Sequence, residues 1–302
     1  MNPYMDINRI EFFITNACTS RCKHCSVGHS LNKNNTCIDA DRASSVISEL
    51  AQQYAIKSVM TFGGEPLLAA DTVCKIHKTS TENKIPCRQV ITNGYFTKDL
   101  QRISEVARDL KKSGVNSLLL SVDAFHAEHL PIETVYAFAR ALCDEHIEGL
   151  RLQPAWVIDA EHNNVYNQKT RECLEAFSDL NIPISGGNNI FPSGNAAIYL
   201  AEYYPVKTFD LNVKCGDVPY TTKLDSVDTI SINPNGDVIV CCFVIGNIYT
   251  DTITNIIYRY NPDENLLMSS LLKGGVRELM DVAKDSGLYI DPTQYPSACS
   301  VC

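Results

Sequence analysis

From residue 9 to about residue 205, short β-rich apolar runs alternate with longer stretches in which apolar positions recur every three or four residues. The short runs predict strands near RIEFFI (9 to 14), IKSVMTF (56 to 62), CRQVIT (87 to 92), VNSLLLSVD (115 to 123), GLRLQPAWVI (149 to 158) and IPISGGNNIF (182 to 191). The periodic stretches predict helices near 39 to 54, 68 to 81, 97 to 113, 131 to 146 and 165 to 180, with Asp39 opening the first and Thr97 and Asp99 the third. Strands and helices alternating at this spacing build parallel βαβ units with right-handed crossovers, and six of them make an open partial barrel. After Pro205 the pattern changes. SVDTISINPNGDVIVCCFV alternates apolar and polar residues about Pro234-Asn235-Gly236, a hairpin signal, and helices follow near 251 to 260 and 263 to 285. The expectation is an α/β chain: a partial (βα)6 barrel over 1 to 205, then a small α+β domain over 206 to 302.

Cys18, Cys22 and Cys25, directly after the first predicted strand, bring chemistry to this frame. The C-x3-C-x2-C spacing supplies three thiolates from one loop, one fewer than a closed four-iron cluster or a structural zinc needs, so one metal position stays open. A zinc knuckle with His24 or His29 as fourth ligand is the competing reading, but no second ligand pair follows within the usual interval. In parallel α/β folds ligands sit at the carboxyl ends of strands. There the second strand is followed by Gly63-Gly64-Glu65-Pro66, the third ends in Thr92-Asn93-Gly94 and the fourth in Ser121-Val122-Asp123. Glycines at that place allow close backbone approach, and Glu65 can accept from a cationic amine. Read without chemistry, the same residues are a turn with a helix-opening proline, and Asn93 and Asp123 are helix caps.

The triplet and the GGEP run together closely resemble the radical S-adenosylmethionine (SAM) superfamily. The resemblance implies a 4Fe-4S cluster on Cys18, Cys22 and Cys25, with SAM chelated by the fourth iron. Reductive cleavage of SAM to a 5'-deoxyadenosyl radical and removal of a substrate hydrogen would follow. It also implies that Gly63, Gly64, Glu65 and Pro66 position the amino group of SAM, while Asn93, Ser121 and Asp123 reach its carboxylate or ribose. Arg151 and Gln153 alternate with Leu150 and Leu152 on the fifth strand, a pattern that fits either an aim into the barrel or exposure at a sheet edge, and Gln153 is counted with the SAM residues. Asn188, Asn189 and Phe191-Pro192-Ser193-Gly194 fall where relatives contact adenine. His126 and His129 are spaced for a metal pair, although isolated histidines are more often structural.

A second set, Cys215, Cys241, Cys299 and Cys302, meets the count of a closed site. It resembles the SPASM and twitch extensions of radical SAM enzymes and implies one auxiliary 4Fe-4S cluster; zinc in the same four thiolates is the alternative. Adjacent residues of an extended segment point to opposite sides, so Cys241 is expected on the cluster and Cys242 toward the cavity. The tandem resembles radical SAM peptide epimerases and would make Cys242 a hydrogen donor. Thioether or carbon-carbon crosslinking of a peptide, a carbohydrate or other small-molecule reaction, and a non-catalytic scaffold are the alternatives. Cys37, Cys74, Cys87, Cys143 and Cys173 show no cluster spacing and read as small buried hydrophobes.

Composition narrows the partners. A net charge of -9 disfavours a nucleic-acid grip, and Arg21, Lys23 and Lys33 read as balancing an anionic cluster or as nothing specific. No secretion signal and no membrane-length apolar run is present. Thirteen cysteines without a signal peptide indicate a reducing cytoplasm. The first strand starts by residue 9, which leaves no leader-binding winged helix. A peptide substrate would then be recognised at the barrel mouth or through a separate leader-binding protein, with flavodoxin or ferredoxin as external reductant. A sequence that ends on a cysteine also fits a natural chain that runs further.

Overall fold

A computed structural model describes all residues except 1, 29–30, 33–34 and 205–208, so His29, Lys33 and the boundary placed at Pro205 lie outside the described residues. Five parallel strands, β1 (Met5–Phe13), β2 (Ser58–Phe62), β3 (Cys87–Thr92), β4 (Ser117–Ser121) and β5 (Gly149–Gln153), lie side by side in sequence order. The crossovers are α1 (Ala40–Ala51), α2 (Ala70–Glu82), α3 (Leu100–Lys112), and the pair α4 (Ala124–Ala127) and α5 (Ile132–Asp144). Asp39 and Asp99 cap α1 and α3 as their sequence positions predict, each accepting from a backbone N–H of the first turn.

The period-2 pattern divides the sheet into two unlike faces. Ile10 and Phe12, Val59, Val90, Leu118 and Leu120 turn toward the helices and are fully buried. Each such side chain contributes about 1.5–3 kcal/mol relative to its exposed state. The inner face carries Arg9, Glu11, Ser58, Gln89 and Ser117, most of them only half-buried. Their polar groups are joined: Arg9 donates to Glu11 Oε1 (2.6 Å), Ser58 Oγ (3.2 Å) and Gln89 Oε1 (3.1 Å), and Ser231 Oγ donates to Glu11 Oε2 (3.1 Å). A concave side lined this way is wettable and able to receive a ligand.

The fifth predicted strand is broken. Pro154 has no N–H for the ladder, and β6 (Ala155–Trp156) resumes beyond it. The sixth is shorter than expected. It touches β5 through the bridge of Leu152 with Ile184, and after α6 (Val165–Glu175) appears as β7 (Asn188–Asn189), parallel to β6. A short α7 (Asn195–Tyr199) follows.

The C-terminal hairpin, β8 (Val227–Ile232) and β9 (Asp237–Val240), is extended by β10 (Phe243–Asn247) into a three-stranded meander. Its turn departs from the tight Asn-Gly form. Only Gly236 takes a positive φ (87°), and its N–H closes onto Asn233 O at 2.9 Å. β8 also pairs parallel with β1 (Ile10 opposite Ile230), so one sheet runs β10-β9-β8-β1-β2-β3-β4-β5. α8 (Ile253–Arg259), α9 (Leu266–Asp285) and α10 (Ala298–Val301) complete the chain. α9 kinks at Gly275 (φ 67°), where a Cβ would stand 2.5 Å from the backbone of Asn212; the glycine lets the segment leading to Cys215 pack against the helix.

Candidate active site

The loop bearing Cys18, Cys22 and Cys25 leaves the carboxyl end of β1 and is tied down from three sides. At its base Thr15 bridges Cys37. From β2, Gly64 N–H donates to Thr15 O and Glu65 N–H to Ala17 O, both at 2.8 Å. From α7, Asn195 donates through its backbone N–H to Cys25 O (2.9 Å) and through Nδ2 to Cys22 O (3.1 Å). Close approach explains two glycines: a Cβ on Gly64 would lie 2.1 Å from Ala17 O, and one on Gly194 (φ 54°) 2.3 Å from Ser26 O. The cysteine and GGEP motifs are thus one hydrogen-bonded unit.

The sulfurs are already in polar surroundings. Ser20 N–H points to Cys18 Sγ and Gly28 N–H to Cys25 Sγ, each at 3.4 Å, and Ser20 Oγ lies 2.9 Å from Cys22 Sγ. Burial pushes the Cys18 thiol up to about 12, so the bare loop holds it protonated. A cationic metal centre reverses that preference, and N–H donors of this kind stabilise thiolate ligands. Three thiols from one loop, these donors and an adjoining cavity of about 560 Å³ reached by Cys22, Cys25, Arg21 and Asn195 fit an iron-sulfur cluster with an open position.

Glu65 is wholly buried. Its Oε1 accepts from Leu67 N–H (2.9 Å) and Thr92 Oγ (2.7 Å), and its Oε2 from Asn93 N–H (2.8 Å). Burial raises its pKa, against the pull of those donors. The carboxylate joins the ends of β2 and β3, which leaves the backbone of Gly63 and Gly64 facing the loop, with Pro66 opening a 3-10 turn. Asn93 Nδ2 reaches Thr19 Oγ (3.2 Å) and lies 3.9 Å from Cys18 Sγ.

Asp123 unites both readings given to it. It caps α4, accepting from Phe125 and His126 N–H, and its carboxylate meets His126 Nδ1 at 2.9 Å. Burial would raise the Asp123 carboxyl, but the imidazole outweighs it and holds the group at about 2. Burial likewise opposes charge on His126, yet Asp123 raises it well above the ordinary histidine value. His24 packs beside this pair, edge-on to His126 at 5.2 Å and tilted against Phe125 at 4.9 Å between ring centroids, with its Nδ1 unpartnered and burial lowering it to about 4. The sequence reading missed this meeting of His24, Asp123 and His126. His129, its suggested partner for His126, is exposed on the cavity rim. Lys23 pairs with Glu128 (3.0 Å). Ser121 and Gln153 sit opposite each other on β4 and β5, and Ser185 Oγ donates to Gln153 Oε1.

Beside the C-terminal meander Cys215 and Cys241 meet, with Cys242, Cys299 and Cys302 in the same region. Cys241 Sγ lies 3.2 Å from Cys215 Sγ, while Cys242, Cys299 and Cys302 are exposed nearby. The opposite-sides argument for Cys242 does not hold on this backbone. Cys241 is left-handed (φ 58°) in the turn between β9 and β10, so the pair is not extended and alternation does not set the two side chains on opposite sides. Thiol contacts, then burial, push Cys241 to about 12 and Cys242 to about 11. Such crowding suits a metal cation, which would neutralise the thiolates.

The Radical SAM superfamily profile matches residues 12–193, and the chain belongs to that family. Among curated proteins it is 29% identical over 124 residues to a probable GTP 3',8-cyclase of Methanocaldococcus jannaschii and 26% over 129 residues to a GTP 3',8-cyclase of Desulforamulus reducens. These matches span 41% and 42% of this chain but only 39% and 38% of the relatives. Among solved structures it resembles BtrN in complex with AdoMet and 2-DOIA (TM-score 0.51, 17% identity, 96% of this chain and 98% of that one). It also resembles anSMEcpe with bound AdoMet (TM-score 0.53, 14% identity, 95% and 94%). At these identities the structures show a shared α/β barrel-like fold. The family implies a 4Fe-4S cluster and SAM. Among the described residues no helix is long and apolar enough to cross a membrane.

Proposed function

We propose that this chain is a two-cluster radical SAM enzyme that removes a hydrogen atom from an organic substrate at the concave mouth of the barrel. The observation that carries the reading is the bonded unit of cysteine loop, GGEP turn and Asn195 at the carboxyl ends of the strands. When bound, the Cys18, Cys22 and Cys25 cluster with SAM supplies a 5'-deoxyadenosyl radical, and a centre held by the C-terminal thiols supplies an electron acceptor. The chain's own residues do the rest. Gly63 and Gly64 bring backbone close to the methionine end of SAM, Glu65 and Pro66 fix that turn, and Asn93, Ser121, Asp123 and Gln153 surround the remainder of the cofactor. An external reductant completes the system.

Peptide modification is the substrate reading that the cysteine pattern supports. Epimerisation with Cys242 as hydrogen donor and thioether or carbon-carbon crosslinking both fit it, and Cys242 is exposed. The likeness to GTP 3',8-cyclases supports a second reading, a small-molecule substrate. The test is anaerobic reconstitution with iron and sulfide, reduction with dithionite, and assay of SAM conversion. Formation of 5'-deoxyadenosine is expected; an iron-loaded protein that never cleaves SAM under any reductant overturns the reading.

A further inference from the structure

Arg9 and Arg151 both stand on the inner face of the sheet, and their surroundings are opposite. Arg9 is saturated by Glu11, Ser58 and Gln89. Arg151, on β5 between the buried Leu150 and Leu152, is exposed and makes no hydrogen bond or ion pair among the described residues. It is paired across the ladder with Leu119, which itself pairs with Ile91, so the guanidinium rises from an apolar stretch of the concave wall. The next inward residues toward the mouth are Ser121 and Gln153. Gln153 has its oxygen occupied by Ser185, which turns its amide nitrogen the other way. The wall around Arg151 therefore offers donors, and the carboxylates beyond it, Glu11 and Asp123, are committed to Arg9 and His126.

We propose that Arg151 anchors the substrate by a bidentate contact to an oxyanion, carboxylate or phosphate, one register step deeper in the barrel than the Ser121 and Gln153 pair. This rests on the radical SAM reading and names the substrate class it acts on: a molecule carrying a carboxylate or phosphate group. A planar, five-donor cation without a partner recognises such groups in two parallel hydrogen bonds. A glutamyl or aspartyl peptide and a nucleoside triphosphate both satisfy that chemistry, and SAM itself carries a carboxylate.

The sources are separated by labelling the anaerobic holoenzyme with phenylglyoxal and reading modification of Arg151 by peptide mass spectrometry. The additions are SAM alone, then SAM with acetyl-Ala-Glu-Ala-amide, its Gln counterpart, or GTP. Modification is expected to be unaffected by SAM alone and by the Gln peptide, and to slow about tenfold with the Glu peptide or GTP, as one charge-assisted contact gives. Protection by SAM alone would assign the guanidinium to the cofactor and overturn the proposal, as would no protection by any anion. In a second measurement the protecting anion should raise the melting temperature of the wild type but not of Arg151→Gln. An equal rise in both also overturns it. These readouts follow binding, so failure of the wild type to form 5'-deoxyadenosine would refute the radical reading by a separate observation.

Discussion

Cys18, Cys22 and Cys25 sit on a loop bonded to a strand end, to the GGEP turn and to α7. Of the five C-terminal thiols, Cys215 lies in a turn before β8, Cys241 and Cys242 in the β9–β10 turn, Cys299 on the four-residue helix α10 and Cys302 just after it. α10 is attached by Ala298 and Val301, both buried, and by a Ser300 Oγ bond to Pro192 O (3.3 Å). In the first site the protein fixes the ligands before any metal arrives. In the second, the backbone that carries the thiols is slight, so binding of the proposed second centre would be coupled to local folding.

The largest effect should come from breaking the first site and the second separately. Replacing Cys18, Cys22 and Cys25 by Ala should abolish 5'-deoxyadenosine formation and reduce bound iron from about eight to about four per chain. Cys299→Ala with Cys302→Ala should remove a similar amount of iron yet retain SAM cleavage. Chelation should raise hydrogen exchange across 292–302 and leave the 14–28 loop protected. Zinc at the C-terminal thiols, or loss of all iron in the triple variant, would undo the comparison.

Glu65→Ala tests whether the first site is preorganised. It would leave Leu67 N–H, Asn93 N–H and the Thr92 hydroxyl without their shared acceptor in a dry environment. Each orphaned donor costs about 1–3 kcal/mol, and partial rehydration of the new cavity offsets some of the sum, so about 4 kcal/mol is expected from urea unfolding. A loss under about 1 kcal/mol would mean that the turn is held by Gly64 and Ala17 alone.

Asp123→Asn should cost about 3 kcal/mol in cluster-free protein near neutral pH, since it leaves the buried side of an ion pair without its charge. The sign with pH follows from the low carboxyl value. Its folded pKa, about 2, lies below the ordinary 3.8, so its stabilisation is complete above 3.8 and disappears as pH falls through about 2. The gap between wild type and variant, measured by urea titration, should therefore close in acid. A gap independent of pH would assign the loss to packing.

Much of the barrel was legible because its signals are local. β2, β3 and β4 are apolar runs between turn signals, and the cysteine and GGEP spacing identified the superfamily. The departures come from non-local or rare backbone events. Pro154 interrupts a run whose apolar pattern continues through it. The parallel pairing of β8 with β1 joins positions more than two hundred residues apart, and no periodicity announces it. His24 meets Asp123 and His126 only through the folded loop, although the capping signal at Asp123 was visible. At Cys241 a non-glycine residue adopts positive φ, a conformation that alternation rules do not anticipate.

The smallest effect, and the one that most sharpens the contrast, is expected from Cys242→Ala. Were a second centre to take four thiolates, Cys241, which touches Cys215, with Cys299 on α10 and Cys302 just after it, would complete the set. If Cys242 is the surplus thiol, the variant should keep about eight irons, cleave SAM at the wild-type rate, and lose no more than about 0.5 kcal/mol, as for a half-exposed side chain away from the core. Cys241→Ala, by contrast, should lose the second centre unless Cys242 takes its place. Electron paramagnetic resonance of the reduced variants separates these cases: a normal second signal in Cys242→Ala and an altered one in Cys241→Ala is the expected pair. The reverse pair would make Cys242 the ligand and Cys241 the spare, and loss of the second signal from both would show that the site requires all five sulfurs.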